Sequence, residues 1–173
     1  MHVDTSRVKG RRQICYESYQ DLLAEVEQLL GGDVRTLGNW SLGQVLKHLA
    51  ETMHTSIDGA PYRAGILRRV TGPFLLRDQF LNGAMLPGFQ LPLSASESLI
   101  PGPTTGEVGM AALRRALYRL RAETDRAAHP VIGRLSIEEW DRCHLRHAEL
   151  HMSFIQPLYD TIAVAGPPAF NRG

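Results

Sequence analysis

Apolar side chains recur along this chain at steps of three and four residues in four separate stretches. Such spacing places them on one face of an α-helix, the pattern of a helix that packs against a core. Each stretch follows a serine or threonine with an acidic or amide residue three positions later, which is the spacing of a capping box. The four predicted starts are Ser18–Asp21, Ser41–Gln44, Thr104–Glu107 and Ser136–Glu139.

These patterns predict an all-α protein, a four-helix bundle formed by a single domain over residues 1–173. Its helices are expected at residues 18–30, 41–59, 105–128 and 136–164. Pro157 should kink or restart the last helix, because proline lacks a backbone donor and crowds the preceding turn. No stretch alternates apolar and polar residues between turn signals, so strands are not expected.

A less regular segment, residues 61–104, forms a long crossover between the second and third predicted helices. Residues 72–83 can make a short helix, whereas the remainder is rich in proline, glycine and serine. A loop of this length is usually functional, packed on its domain or part of an oligomer interface. Its apolar content favours packing against the bundle through Phe89, Leu91, Leu93, Leu99 and Ile100.

Composition and charge exclude some functions. The chain has 173 residues, of which 43% are hydrophobic, and a formal net charge of +1. This charge gives no basis for nucleic-acid binding, and no apolar run approaches the roughly 20 residues that cross a bilayer. We therefore expect no nucleic acid and no membrane as partners. With two cysteines and no apolar core behind the basic N-terminal stretch, a cytoplasmic protein is expected.

Histidines on the apolar face of the last predicted helix are the main chemical signal. His147 and His151 are four residues apart, so both rings can turn toward one metal ion. His144 and His147 could converge instead, whereas His144 and His151 lie more than about 10 Å apart along the helix axis. A solvated or hydrogen-bonded pair is as common as a metal-binding pair, so the spacing alone leaves these alternatives open.

Any further ligand has to come from another helix. His48 lies at the border of the apolar face of the second helix, where a histidine hydrogen-bonded to a carbonyl or water is the commoner arrangement. His54 points away from that face, and His129 is expected at a helix end. Glu51 and Glu149 are candidates for proton transfer, although helix-surface carboxylates are more often simply solvated.

Two segments resemble the DinB-like superfamily of metal-dependent proteins, in particular a bacterial branch of unknown function. They are GNWSLGQVLKHLAE in the second helix and WDRCHLRHAELHMSF in the last, within a likeness that extends over residues 11–162. This resemblance implies a four-helix bundle, often a homodimer, with three histidines that bind a divalent metal ion. Carried over by position, the ligands are His48, His147 and His151, and His144 is a packing or hydrogen-bonding residue behind them.

The same resemblance suggests the expected chemistry. Zinc or nickel is the expected ion, and iron or manganese is the next choice, because imidazole suits several of these metals. Three histidines leave a coordination position open, as in catalytic zinc sites. We therefore expect a metal-dependent hydrolase or a thiol-dependent transferase, acting on a small-molecule substrate or with a thiol cofactor. The alternative is a non-catalytic stress-response or binding protein whose histidine site is structural or empty.

Overall fold

A computed structural model describes residues 2–62, 71–72, 74–88 and 99–158, which are mostly helical. These residues form a 3-10 helix at Thr5–Arg7 and five α-helices, which are α1 (Tyr19–Leu30), α2 (Leu42–Asp58), α3 (Arg77–Leu81), α4 (Gly106–Ala122) and α5 (Ile137–Met152). Strands β1 (Val34–Thr36) and β2 (Ile155–Pro157) pair antiparallel, with Val34 opposite Pro157. None of the helices in the described ranges is both long enough and apolar enough to span a lipid bilayer.

Capping boxes begin three of the long helices at the predicted positions. Ser18, Ser41 and Ser136 each accept a hydrogen bond from the backbone N–H three residues on, and the side chain of that residue accepts from the serine N–H. The cap of α4 is Thr105, so the capping box predicted at Thr104 is wrong by one residue. Pairing of otherwise free N–H groups explains why these starts can be predicted from sequence.

The end of α4 comes earlier than predicted. The helix ends at Ala122, not at residue 128, and the backbone of the next residue, Glu123, is extended. The guanidinium of Arg126 folds back and donates to the carbonyls of Leu120 and Glu123 at 2.8 and 2.6 Å. A side chain from outside the helix therefore pairs with the carbonyls that the helix end leaves free.

The end of α5 also differs from the prediction, which extended this helix to residue 164. The helix ends at Met152, because the ring of Pro157 would clash with the carbonyl four residues earlier in a continuing helix. The chain then pairs as β2 with β1, so the expectation of no strands is wrong. This pairing buries Ile155 completely and places the Phe154 ring against Gly38.

Apolar faces of α1, α2, α4 and α5 pack into one core. Its most deeply buried helical side chains are Leu22, Val26, Leu46, Leu49, Met53, Leu113 and Met152. A smaller apolar cluster joins α3, the turn at residues 131–132 and the first turns of α5. The predicted helical packing is thus present, and α2 and α5 both contribute to its centre.

The crossover is only partly described. It contains α3, in agreement with the predicted short helix, and its Leu99 side chain is buried. Ile100 is 46% exposed, contrary to the expectation that it packs on the helices. Phe89, Leu91 and Leu93 lie outside the described residues.

Two glycines allow backbone contact between α2 and the start of α4. A Cβ atom on Gly43 would lie 2.3 Å from the carbonyl oxygens of Thr104 and Thr105. One on Gly109 would lie 2.5 Å from the carbonyl oxygen of Gly43. Since these neighbours are backbone atoms, they cannot move aside as a flexible side chain would. The contact holds the last residues of the crossover against the first turns of α2.

The substitution Gly43→Ala should destabilise the protein. Overpacking costs about 1–3 kcal/mol, which exceeds the roughly 1 kcal/mol that alanine gains over glycine within a helix. Urea unfolding measures the effect, and Gly32→Ala is the control because a Cβ atom there meets nothing within 4 Å. A Gly43→Ala protein at least as stable as the wild type would contradict the close packing of α2 and α4.

Candidate metal centre

Three histidines from two helices meet at one place. His48 comes from α2, and His147 and His151 come from successive turns of α5. One ring nitrogen of each lies within 4.8 Å of the other two, and the Nε2 atoms of His147 and His151 are 2.9 Å apart. Of the two pairs that helix spacing allows on α5, the structure therefore brings together His147 and His151, and it adds His48.

Burial keeps these three imidazoles neutral at physiological pH. Loss of hydration lowers the pKa of His48 to about 4, although its hydrogen bond to a backbone carbonyl acts in the opposite sense. Burial also lowers the pKa of His147 and His151 well below the usual value, and neighbouring rings lower both further. A neutral imidazole has a free lone pair, which is the form that binds a metal ion.

Three further groups contact the rings of this histidine group. Nδ1 of His48 lies 2.6 Å from the carbonyl oxygen of Leu99, at the end of the crossover. Nδ1 of His147 lies 3.5 Å from Oγ1 of Thr52, one turn after His48 on α2. The pattern of apolar positions gives no signal for these two contacts, because a backbone carbonyl and a helical threonine are found everywhere in proteins.

The third contact is an aromatic ring, which the small sheet holds in position. Trp40 stacks on His151 with 5.4 Å between ring centroids and 15° between planes, and it lies 4.7 Å from the ring of His48. The Trp40 carbonyl accepts a hydrogen bond from Thr36 of β1 at 2.9 Å. The sequence pattern gives no signal for this role of Trp40, since the pattern did not predict the strands.

His144 has a separate environment. Its Nε2 lies 3.1 Å from Oγ of Ser56, and its ring stacks on Trp140 at 5.2 Å. Ser56 donates its own proton to the carbonyl of Met53, so it accepts from the His144 ring. Burial lowers the pKa of His144 to about 3. His144 thus packs beside the three-histidine group without belonging to it.

The remaining histidines have other surroundings. His129 lies in a turn, which corrects its predicted place at a helix end, and its Nδ1 accepts from the N–H groups of Val131 and Ile132. Burial lowers the pKa of His129 to about 4. His54 is partly exposed on α2, where its Nδ1 lies 3.5 Å from a guanidinium nitrogen of Arg119.

Neither predicted glutamate lies in the histidine group. Within the described residues, the set of side chains close enough to share an ion contains three histidines and no carboxylate. Oε1 of Glu149 accepts from the N–H of Tyr16 at 2.7 Å and from Nη2 of Arg146 at 2.5 Å, which ties the N-terminal segment to α5. Glu51 is partly exposed on α2.

The donor set fits a divalent metal ion. Bonds of about 2.0–2.1 Å to imidazole place the nitrogens of a tetrahedral site roughly 3.3 Å apart, so a set within 4.8 Å closes with small ring rotations. Imidazole suits zinc, nickel and iron alike, so the donors do not single out one metal. Three protein ligands would leave at least one coordination position for water or substrate.

The chain belongs to the family described as "Protein of unknown function (DUF1569)", whose family model matches residues 8–158. The matched region contains all five α-helices and all three histidines of the group. No curated protein and no solved structure matches the chain. The family description names no activity, so a function has to be argued from the site itself.

The low pKa of His144 should make stability depend on pH. An unfolded histidine takes up a proton near its usual pKa of 6.5 and native His144 does not until about 3, so the native state loses stability as pH falls through this range. We expect His144→Gln to reduce the slope of unfolding free energy against pH by about 1.4 kcal/mol per pH unit between pH 4 and 5.5. Urea unfolding with a chelator present measures this slope.

A comparison at pH 8 gives the cost of the His144→Gln substitution itself, because the unfolded histidine is neutral there too. Equal slopes of unfolding free energy against pH in the two proteins below pH 5.5 would contradict the prediction. They would mean that native His144 binds a proton as readily as an unfolded histidine does.

Proposed function

We propose that this protein is a DinB-like four-helix bundle that binds one divalent metal ion through His48, His147 and His151. Zinc or nickel is the expected ion. The observation that carries this proposal is the convergence of three neutral imidazoles from α2 and α5. A divalent ion would pair with one nitrogen of each of the three rings, whereas the hydrogen bond between Nε2 of His147 and Nε2 of His151 satisfies only two of them.

An open coordination position makes this site suited to catalysis on a small molecule. A bound ion supplies Lewis acidity, which lowers the pKa of a bound water toward about 7 or stabilises a thiolate. The protein's own part is to orient the imidazoles, through Thr52 and the Leu99 carbonyl, and to limit water with the Trp40 ring. The proposed activity is therefore that of a metal-dependent hydrolase or a thiol-dependent transferase.

The same proposal extends to the assembly and setting of the protein. The shared core of α1, α2, α4 and α5 supports the four-helix arrangement. A homodimer is expected from the resemblance to the DinB-like superfamily, and a cytoplasmic location is expected from the presence of only two cysteines. The net charge of +1 gives no support for a nucleic-acid partner.

A second candidate function is metal binding without catalysis. It is favoured by the engagement of Glu149, whose carboxylate holds a backbone N–H and an arginine and is not beside the imidazoles. A hydrolase normally needs a base within hydrogen-bond reach of its water, directly or through one other water. The two candidates differ in whether an exogenous ligand can reach the bound ion.

Metal binding should depend on each of the three histidines. We expect one zinc ion per wild-type chain and a loss of this binding in His48→Ala, His147→Ala and His151→Ala, measured by calorimetric titration and metal analysis. His54→Ala is the matched control, because His54 lies on α2 outside the group. At a zinc concentration 100 times the Kd, wild-type stability should rise by about 2.7 kcal/mol. Full zinc binding by all three alanine variants would contradict the proposed site.

An open coordination position should bind an added thiol. Cobalt(II) reports this directly, since a thiolate on the ion adds a charge-transfer absorption band in the near ultraviolet. We expect the band when 2-mercaptoethanol is added to cobalt-loaded wild-type protein, and no band with the His147→Ala variant. An unchanged cobalt spectrum at saturating thiol would favour the closed, structural site of the second candidate.

A further inference from the structure

Hydrogen-bond partners determine which nitrogen of His48 carries the ring proton. Its Nδ1 lies 2.6 Å from the carbonyl oxygen of Leu99, and a carbonyl can only accept. Nδ1 therefore carries a proton, and in a neutral imidazole it is the only ring proton. The lone pair is then on Nε2.

The same argument locates the ring proton of His147, whose partner is the hydroxyl group of a threonine. Oγ1 of Thr52 donates its only proton to the carbonyl of Leu49 at 2.9 Å. Its contact with Nδ1 of His147, at 3.5 Å, is longer than the usual N–H···O distance of about 2.7–3.2 Å, and with the hydroxyl proton engaged at Leu49 the ring is the donor in this contact. His147 therefore also carries its proton on Nδ1 and has its lone pair on Nε2.

His151 differs from the other two rings. Its Nε2 lies 2.9 Å from Nε2 of His147, which has a lone pair. Two lone pairs at this distance repel, so in the metal-free chain the proton of His151 lies on Nε2 and is donated to His147. To offer that nitrogen to a cation, His151 has to move its proton to Nδ1.

We propose that Thr52 is a positioning residue for the metal site, that the Leu99 carbonyl has the same role for His48, and that His151 alone changes tautomer when a cation binds. This inference rests on the proposed function and describes how the histidine rings are oriented before a metal ion binds. Two of the three imidazoles present Nε2 before any ion arrives. Groups that orient a ligand histidine in this way commonly contribute about 10–100-fold to metal affinity.

Gln44, on the same helix as His48, holds the crossover two residues after Leu99. Its Nε2 donates to the carbonyl of Pro101 at 3.0 Å, while Oγ of Ser41 lies 3.4 Å from the carbonyl of Thr104. Ser41, Gln44 and His48 thus each hold one carbonyl of residues 99–104 along one side of α2. These bonds hold against α2 the segment that carries the Leu99 carbonyl, the partner of Nδ1 of His48.

A set of threonine variants tests the role of Thr52. Thr52→Val keeps the shape and removes the acceptor, so its zinc affinity should fall about 10-fold or more, whereas Thr52→Ser should stay within about 3-fold of wild type. Thr55→Val is the matched control, since Thr55 makes the same kind of bond to a helix carbonyl, that of Thr52, and touches no ligand histidine. An unchanged affinity in Thr52→Val, or an equal loss in Thr55→Val, would overturn the assignment.

Nitrogen-15 NMR of the histidine rings reads the tautomers without any need for metal. We expect protonated Nδ1 on His48 and His147 and protonated Nε2 on His151 in the metal-free protein. Zinc should move the proton of His151 to Nδ1 and leave the other two unchanged. Thr52→Val should disturb the His147 pattern, and with it that of His151 because their Nε2 atoms share one hydrogen bond, and should leave His48 unchanged, which a merely structural role would not do.

The two experiments separate this inference from the proposed function. A wild-type chain that binds no zinc contradicts the proposed function, and the NMR pattern then decides the tautomer assignment alone. A chain that binds zinc through the three histidines but shows protonated Nε2 on His147 beforehand contradicts the inference and leaves the metal site standing.

Discussion

A buried imidazole has to be neutral, and each of its two nitrogens then has one role, as donor or as acceptor. This constraint organises the region where α2 meets α5. The Leu99 carbonyl and the Thr52 hydroxyl accept the ring protons of His48 and His147. A serine does the same for His144, whose ring lies outside the group. The lone pairs that remain on His48 and His147 make a metal site possible.

The rest of the fold serves to keep these partners in place. Backbone contact at Gly43 lets the end of the crossover lie along α2, where it offers its carbonyls. The two-stranded sheet contributes as well. Thr36 of β1 donates to the backbone carbonyl of Trp40, whose indole ring stacks on His151. The three histidines lie on two helices, but two of the groups that contact their rings come from irregular segments. These groups are the Leu99 carbonyl at the end of the crossover and the Trp40 ring after β1.

Much of the helical frame could be predicted from the sequence, because its causes are local. The boxes at Ser18, Ser41 and Ser136 mark helix starts within a few residues of chain. Helix periodicity likewise shows that His147 and His151 lie on one side of α5, and the structure confirms that their nitrogens approach each other. The place of His48 beside them came from a family resemblance, not from its own spacing.

What the sequence did not predict depends on contacts between distant segments. The prediction places the end of α5 too late, because it expects Pro157 to kink or restart the helix, whereas the chain there pairs with β1 as a strand. The engagement of Glu149 by Tyr16 joins residues 133 positions apart, which no local pattern reveals. The partners Thr52 and Leu99 are ordinary residues whose roles come only from their position.

The central claim, that three imidazoles share one cation, is tested most directly by anomalous diffraction from crystals of the zinc-loaded protein. Data on both sides of the zinc absorption edge should show one peak per chain, about 2.0–2.1 Å from a ring nitrogen of each of His48, His147 and His151. Rings that point apart, or a zinc peak bound elsewhere on the chain, would contradict the account.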